Sequence, residues 1–140
     1  MVTCRPSWTA FALAVTLAST VACSGDGAGP GSVIAYGTYS LESTSGRGPA
    51  AGTVTLSPLA RAERRVRYAL ADGRLSTEYV ARGTFRVAGD GTVDLRLRED
   101  DGRSAHVWRP RTQLIGGVLR LRHPDPADGP DIVESYRRDD

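Results

Sequence analysis

The stretch RGTFRVAGDGTVDLRLR, residues 82–98, has the pattern of a β-hairpin. Apolar and polar residues alternate along two arms, and Gly89-Asp90-Gly91 lies between them. A glycine at this place can adopt the positive φ that a three-residue hairpin loop needs. The sequence therefore predicts two antiparallel strands that meet when Ala88 pairs with Thr92.

The side chains of this hairpin also predict its register. With Ala88 opposite Thr92, apolar residues share one face, and Arg86 faces Asp94 on the other. The pairs on the apolar face are Val87–Val93, Phe85–Leu95 and Gly83–Leu97. A slip of one residue would turn every apolar side chain toward water, so a single register is strongly favoured.

Period-two alternation recurs from Val33 to the C-terminus, broken about every ten residues by Gly, Pro, Asp or Ser. No part of it shows helical periodicity beyond a turn or two; Pro58–Glu63 could form one turn. In the sixth strand, Arg103 to Leu114, Pro110 predicts a bulge, an edge or a break. The pattern predicts an all-β, antiparallel up-and-down meander of about eight strands. Closure into a barrel would remove its edges, and an open rolled sheet is the alternative.

Strand parity assigns one set of side chains to the interior, where they could fill a core or line a pocket for one small ligand. This inward set is Tyr39, Leu41, Val54, Leu56, Val66, Tyr68, Leu70, Tyr79, Phe85, Val87, Val93, Leu95, Leu97, Leu119, Leu121 and Tyr136. Ala81 and Gly83 would leave space in the fourth strand, and buried tyrosine hydroxyls need polar partners. The candidate ligand-binding residues are the aromatic members Tyr39, Tyr68, Tyr79, Phe85 and Tyr136.

Residues 1–22 have the pattern of a signal peptide. Arg5 is followed by an apolar run from Ala10 to Ala18, which is too short for a permanent membrane helix of about 20 residues. Thr20-Val21-Ala22 leads into Cys23, and this junction resembles the lipobox of bacterial lipoproteins, although that family usually has leucine at the position of Thr20. The resemblance implies that Cys23 is lipidated. Cleavage after Ala22 without lipidation, giving a secreted protein, is the alternative.

The residues after Cys23 predict a tether and a location. In Gram-negative lipoproteins, an aspartate directly after the cysteine favours retention of the protein in the inner membrane. This chain has Ser24 at that position. The resemblance therefore implies a location in the outer membrane, with the domain facing the periplasm. Residues 24–32, SGDGAGPGS, contain four glycines in nine residues and no large apolar group. Such a segment cannot bury enough surface to fold. Residues 23–32 are therefore expected to be the lipidated cysteine and a flexible tether, and residues 33–140 the β-barrel domain.

Several short motifs of the domain resemble a group of small bacterial lipoproteins with lipocalin-like domains. They are Gly37-Thr38-Tyr39-Ser40-Leu41, Gly83-Thr84-Phe85, Asp90-Gly91-Thr92 and Ser135-Tyr136-Arg137-Arg138. The resemblance spans roughly the whole domain and implies a lipocalin-like barrel without catalytic residues. True lipocalins carry G-x-W in the first strand, where this chain has Tyr39.

The composition argues against several classes of function. The 140 residues suffice for one domain, and a net charge of +2 is low for a nucleic-acid-binding protein. Both cysteines, Cys4 and Cys23, lie near the N-terminus, so the domain has no thiolate nucleophile or cysteine metal site. His106 and His123 are too few for a histidine metal site. Without a G-x-S-x-G elbow or a phosphate loop, we expect no enzyme activity, cofactor or metal.

Arginines on the opposite parity form an outward set. Its members are Arg65, Arg67, Arg82, Arg86, Arg96, Arg98, Arg120 and Arg122. They could build a basic wall for an anionic lipid headgroup or polysaccharide. The simpler interpretation is a polar barrel exterior, neutralised by nearby acids such as Asp94 and Glu78.

Together these features predict a monomeric, lipid-anchored periplasmic binding module that holds a small apolar or amphipathic molecule in its barrel. The alternative is a non-catalytic cell-envelope interaction or structural lipoprotein with a filled barrel. The first requires a cavity of at least about 300 Å³. The second requires a filled interior and a contiguous basic or apolar surface patch.

Overall fold

A computed structural model describes residues 35–99 and 107–140, which form nine antiparallel strands. The strands are β1 Gly37–Thr44, β2 Ala51–Ser57, β3 Arg61–Arg67, β4 Tyr79–Val87, β5 Thr92–Glu99, β6 Val107–Trp108, β7 Arg111–Ile115, β8 Val118–His123 and β9 Ile132–Arg138. Within those residues there is no helix, and hence none that could span a membrane. The predicted signal peptide, Cys23, the tether and His106 lie outside the described residues.

Eight of the strands close into a barrel. Consecutive strands pair from β1 to β5, β5 pairs with β7, and β7, β8 and β9 continue until β9 pairs with β1. The two-residue strand β6 pairs with β5 beside β7 and is the ninth strand. The predicted all-β lipocalin-like barrel is confirmed, and the open-sheet alternative is wrong.

The central hairpin has the predicted register. Val87 pairs with Val93, Phe85 with Leu95 and Gly83 with Leu97. In the loop, the Ala88 amide donates to the Thr92 carbonyl over 2.8 Å, and Gly91 has φ 83°. Arg86 stands opposite Asp94, but the carboxylate of Asp94 forms its ion pair with Arg96 of the same strand, at 2.6 Å.

Pro110 breaks the sixth predicted strand, as a residue without a backbone donor should. β6 pairs through Trp108 with Leu97, whereas β7 pairs through Arg111 with Asp94. The expected helical turn at residues 58–63 is wrong. β3 already begins at Arg61, after a tight turn in which Leu59 and Ala60 have φ of 65° and 57°.

The barrel has a closed end and an open end. The closed end carries Ala35, the C-terminus and three tight hairpin turns, and the open end carries the connections 45–50, 68–78 and 124–131. A buried apolar cluster fills the closed end and the middle. It consists of Ala35, Tyr39, Val54, Leu56, Ala62, Ala81, Phe85, Val93, Leu95, Leu97, Leu114, Leu119, Leu121 and Tyr136. The predicted parity is thus confirmed for most of the inward set, with Leu41 and Val87 packed against this cluster.

Three expectations about the interior are wrong. Leu70 lies beyond the end of β3 and is 45% exposed, and Tyr79 at the first position of β4 is 49% exposed. Inward parity buries a side chain only where strands surround it, and both residues lie at the open rim. Gly83 leaves no space, since a Cβ on it would overlap the carbonyl oxygen of Arg96. Its role is to let β5 approach β4 closely.

Replacing Leu95 with Asp should unfold the domain. Leu95 is 1% exposed inside the barrel, and an unpaired carboxylate there would cost at least about 4 kcal/mol. Arg98→Asp is the matched control, because Arg98 is exposed on the same strand and faces Arg82. We expect urea denaturation to show a cooperative transition for the control and none for Leu95→Asp. A normal transition in both variants would contradict the inward position of Leu95.

Candidate functional site

A cavity of about 490 Å³ opens at the open end of the barrel. Its walls come from β3, β4, β5 and β6, from the end of β8 and the start of β9, and from the connections after β1, β3 and β8. The described residues that line it are Arg47, Gly48, Arg64, Tyr68, Ala81, Glu99, Trp108, His123, Pro124, Asp125, Pro126, Ala127 and Ile132. Most of them are apolar or aromatic, and the charged members lie either at the floor or at the rim.

The floor of this cavity is a buried ion pair between β3 and β9. Alternation in β3 turns Arg64 inward together with Ala62 and Val66, and alternation in β9 turns Glu134 inward together with Tyr136. The Arg64 Nη2 atom donates to Glu134 Oε1 over 2.6 Å, and Nε donates to Oε2 over 3.2 Å. This bidentate geometry is the strongest that arginine and a carboxylate form.

Two further side chains complete the hydrogen bonds of Glu134. The Tyr136 hydroxyl donates to Oε2 over 2.6 Å, and His123 Nε2 lies 3.0 Å from Oε1. Because a carboxylate only accepts, His123 carries a hydrogen on Nε2. Glu134 is fully buried, yet no buried side-chain nitrogen or oxygen of the described residues lacks a hydrogen-bond partner. The charge is therefore tolerated because four donors surround it.

This environment fixes the protonation states at the floor. Burial opposes the charge of Glu134, but the hydrogen bond from His123, the positive charge of Arg64 and the Tyr136 hydroxyl together outweigh burial and lower its pKa. Burial raises the pKa of Tyr136, so the hydroxyl keeps its proton and remains a donor. The floor consequently holds one carboxylate and one guanidinium at neutral pH.

The indole ring of Trp108 also contacts the guanidinium of Arg64. The Arg64 Cζ atom lies 4.8 Å from the centre of the indole ring, within the range of a cation–π contact. The same indole meets the His123 ring edge to face, with 5.1 Å between centroids. Trp108 reaches this position because the short strand β6 pairs with the end of β5. The short strand β6 thus contributes a side chain to the cavity, whereas the other eight strands form the barrel.

The five predicted ligand-binding residues do not share one site. Tyr68 lines the cavity, and Tyr136 lies below its floor. Tyr39 is buried at the closed end, where its hydroxyl donates to the Ala35 carbonyl over 2.7 Å. Phe85 belongs to the apolar cluster, and Tyr79 lies at the rim against the Tyr68 ring, 5.6 Å between centroids.

Sequence reasoning missed Arg64, Glu134 and Trp108 as site residues, and it considered His123 only as a metal ligand. The strand pattern did indicate that both charges point inward. Arg64 lies two residues before the inward residue Val66, and Glu134 lies two residues before the inward residue Tyr136. The predicted inward set contained only apolar and aromatic residues, so it left out this opposite-charge pair on two inward parities. Among the described residues, no group of three or more His, Cys, Asp or Glu is placed to hold a metal ion.

The outward arginine set is exposed as predicted, but much of it is ion-paired. The pairs are Arg65 with Glu63 and Glu78, Arg67 with Glu78, Arg82 with Glu63, Arg96 with Asp94, and Arg122 with Asp131. These acids neutralise a large part of the basic wall.

Comparison of the chain with protein-family models, with curated proteins and with solved structures gave no match. The interpretation of the site therefore depends on its own geometry and chemistry.

Replacing Glu134 with Gln should destabilise the protein by about 3–5 kcal/mol at neutral pH, because it leaves the buried Arg64 charge without a counter-ion. Glu42→Gln is the matched control: Glu42 pairs with Arg137 on the surface and should contribute less than about 1 kcal/mol. Urea denaturation of both variants at pH 7 provides the comparison. Equal losses would contradict the role given to the buried pair.

The stability difference between wild type and Glu134→Gln should also depend on pH. Because the folded-state pKa of Glu134 is lowered, its charge stabilises the fold above the unfolded-state value of about 4.5. This contribution is lost as the pH falls from there through the lower folded-state pKa. Denaturation midpoints measured between pH 7 and pH 3 should converge at the acid end, and a constant difference would contradict the argument.

Proposed function

We propose that this protein is a lipid-anchored periplasmic binding module, without catalytic activity, that holds a small amphipathic molecule in its barrel. The observation that carries the proposal is the cavity of about 490 Å³ at the open end, with its polar floor and largely apolar walls. Its volume lies within the roughly 300–1,000 Å³ typical of small-molecule sites.

The construction of the floor supports binding more than catalysis. Glu134 already accepts four hydrogen bonds and has no exposed surface, so it has no capacity to move a proton on a substrate. Trp108 and Glu134 fix the Arg64 guanidinium from two directions. A rigid polar group at the end of an apolar pocket orients a ligand at little entropic cost.

The direction of the cavity suits an anchored carrier. The described chain begins at Ala35 at the closed end, and the cavity opens at the opposite end. A tether attached at the closed end would leave the mouth free to face away from the anchoring membrane. This arrangement fits a module that receives its ligand from the periplasm.

A cell-envelope interaction protein is the second candidate, since the closed end and middle of the barrel are filled. Its supporting observation is a second pocket, of about 760 Å³, on the outer face of β5, β7, β8 and β9. Arg111, Arg120 and Arg122 contribute three guanidinium groups to it, of which Arg122 is paired with Asp131. The internal cavity is the better-supported site because its largely apolar walls end at a buried, hydrogen-bonded polar floor, whereas exposed charged and polar side chains line most of the outer pocket.

Replacing Ala81 with Phe should fill the cavity and abolish binding. Ala81 is 6% exposed on the cavity wall, and the added ring has room only inside the pocket. Ala88→Phe is the control, because Ala88 is exposed in the hairpin turn at the closed end. We expect a co-purifying small molecule in native mass spectra of the exported wild type and of the control, and its loss in Ala81→Phe. If all three proteins gave the same apo mass, the binding function would be contradicted.

Lipidation of Cys23 has its own test. The mature N-terminal peptide of protein exported in a Gram-negative host should begin at Cys23 and carry the added mass of acyl chains. Cys23→Ala should lack that mass and leave the membrane fraction or remain unprocessed. An unmodified N-terminus at Cys23 in the wild type would instead support the secreted alternative.

A further inference from the structure

We infer that the ligand of this cavity presents an uncharged hydrogen-bond acceptor, such as an ester, amide or ketone carbonyl, to the guanidinium of Arg64. The inference rests on the proposed function and specifies the chemical class of its ligand. It follows from the groups that the cavity floor still offers once its internal hydrogen bonds are formed.

Nη1 of Arg64 is the guanidinium nitrogen at the floor that donates to none of the described residues. The other two guanidinium nitrogens, Nε and Nη2, donate to Glu134, and Trp108 covers a face of the group. Arg64 lines the cavity, and its hydrogen bonds to described residues use only Nε and Nη2. Because guanidinium is planar and fixed on two sides, its remaining hydrogens point in a defined direction. A ligand acceptor would find a positioned donor there.

A carboxylate is a poor partner for this donor. The Arg64 charge is already neutralised by Glu134 at 2.6 Å, so a second carboxylate on the same guanidinium would place two like charges side by side. Among the described residues, the cavity has three carboxylates, Glu134 at the floor and Glu99 and Asp125 at the rim, against two guanidinium groups, Arg47 and Arg64. These five groups sum to a charge of −1 with His123 neutral, and the sum is zero with His123 protonated. Neither state attracts an anion.

An ammonium head is unsuitable for the floor as well. The floor offers donors, and the one carboxylate there already accepts from Arg64, His123 and Tyr136 and is fully buried. A cation would therefore meet a second cation and lose its hydration without gaining acceptors. A neutral carbonyl keeps one hydrogen bond and carries no charge to desolvate.

The walls indicate where the remainder of the ligand lies. Between floor and mouth the lining is formed by Ala81, Trp108, Ile132 and the prolines 124 and 126, with Tyr68 near the rim. These groups offer mainly apolar surface, to which Trp108 and Tyr68 add an indole N–H and a hydroxyl. The ligand would therefore place its carbonyl at Arg64 and its apolar chain along Trp108 toward the mouth.

The test compares four probes that share one alkyl chain: methyl decanoate, decanamide, decanoate and decylammonium. The exported, processed protein is anchored in lipid nanodiscs. The sequence has two tryptophans, Trp8 and Trp108, and removal of residues 1–22 leaves only Trp108, so its fluorescence reports on the cavity. The Ala81→Phe variant provides the blank for partitioning of the probes into lipid. At pH 7.5 the ester and the amide should bind at least tenfold more tightly than either charged probe.

The possible outcomes separate this inference from the proposed function. If decanoate or decylammonium bound as tightly as the neutral probes, the inference would be overturned and the binding function would stand. If no probe bound better to wild type than to the blank, both would be overturned.

Arg64→Lys is a further check on the donor, because lysine keeps a positive charge for Glu134 but has no third planar nitrogen. In the folded variant, affinity for the ester should fall at least fivefold. If its near-ultraviolet circular dichroism shows that it does not fold, the probe comparison alone decides.

Discussion

Closure of the sheet is the constraint on which this structure depends. Pairing of β9 with β1 joins the first and last strands of the meander, so that neither is left as an edge, and encloses an interior of fixed size. Each strand must then present one parity to that interior. A small barrel has room for little more than its own side chains. A cavity can therefore form only where the inward side chains at one end leave part of the interior empty.

The interior is divided by the layer containing Arg64 and Glu134. Toward the closed end, apolar side chains fill the barrel completely, and toward the open end a cavity remains. Two opposite charges can occupy such a layer only because they form an ion pair with each other. Tyr136 and His123 provide the remaining hydrogen bonds to the carboxylate. The same bonds make the floor rigid. The cavity therefore combines an ordered polar end with apolar walls, as expected of a site that orients an amphipathic molecule.

The short strand β6 shows how a break in regular structure can contribute to a site. Pro110 prevents one continuous strand from Trp108 into β7, and the two halves pair with different parts of β5. Trp108 is thereby placed over Arg64 and beside His123. The proline was recognisable in the sequence as a break, but the position of the indole depends on the pairing of Trp108 with Leu97 on another strand.

The sequence by itself determined the strand alternation, the hairpin register at residues 82–98, the break at Pro110 and the all-β class, and it left a closed barrel and an open rolled sheet as the two alternatives. These features depend on local patterns, because side-chain parity and turn residues act between neighbours in the chain. Only the tertiary structure decided that Arg64 and Glu134 meet, since they lie 70 residues apart and each alone resembles a surface charge. It also decided that the space beside Gly83 is occupied by β5, and that Tyr79 lies at the rim. Burial depends on which strands surround a position, and that is settled by closure of the barrel.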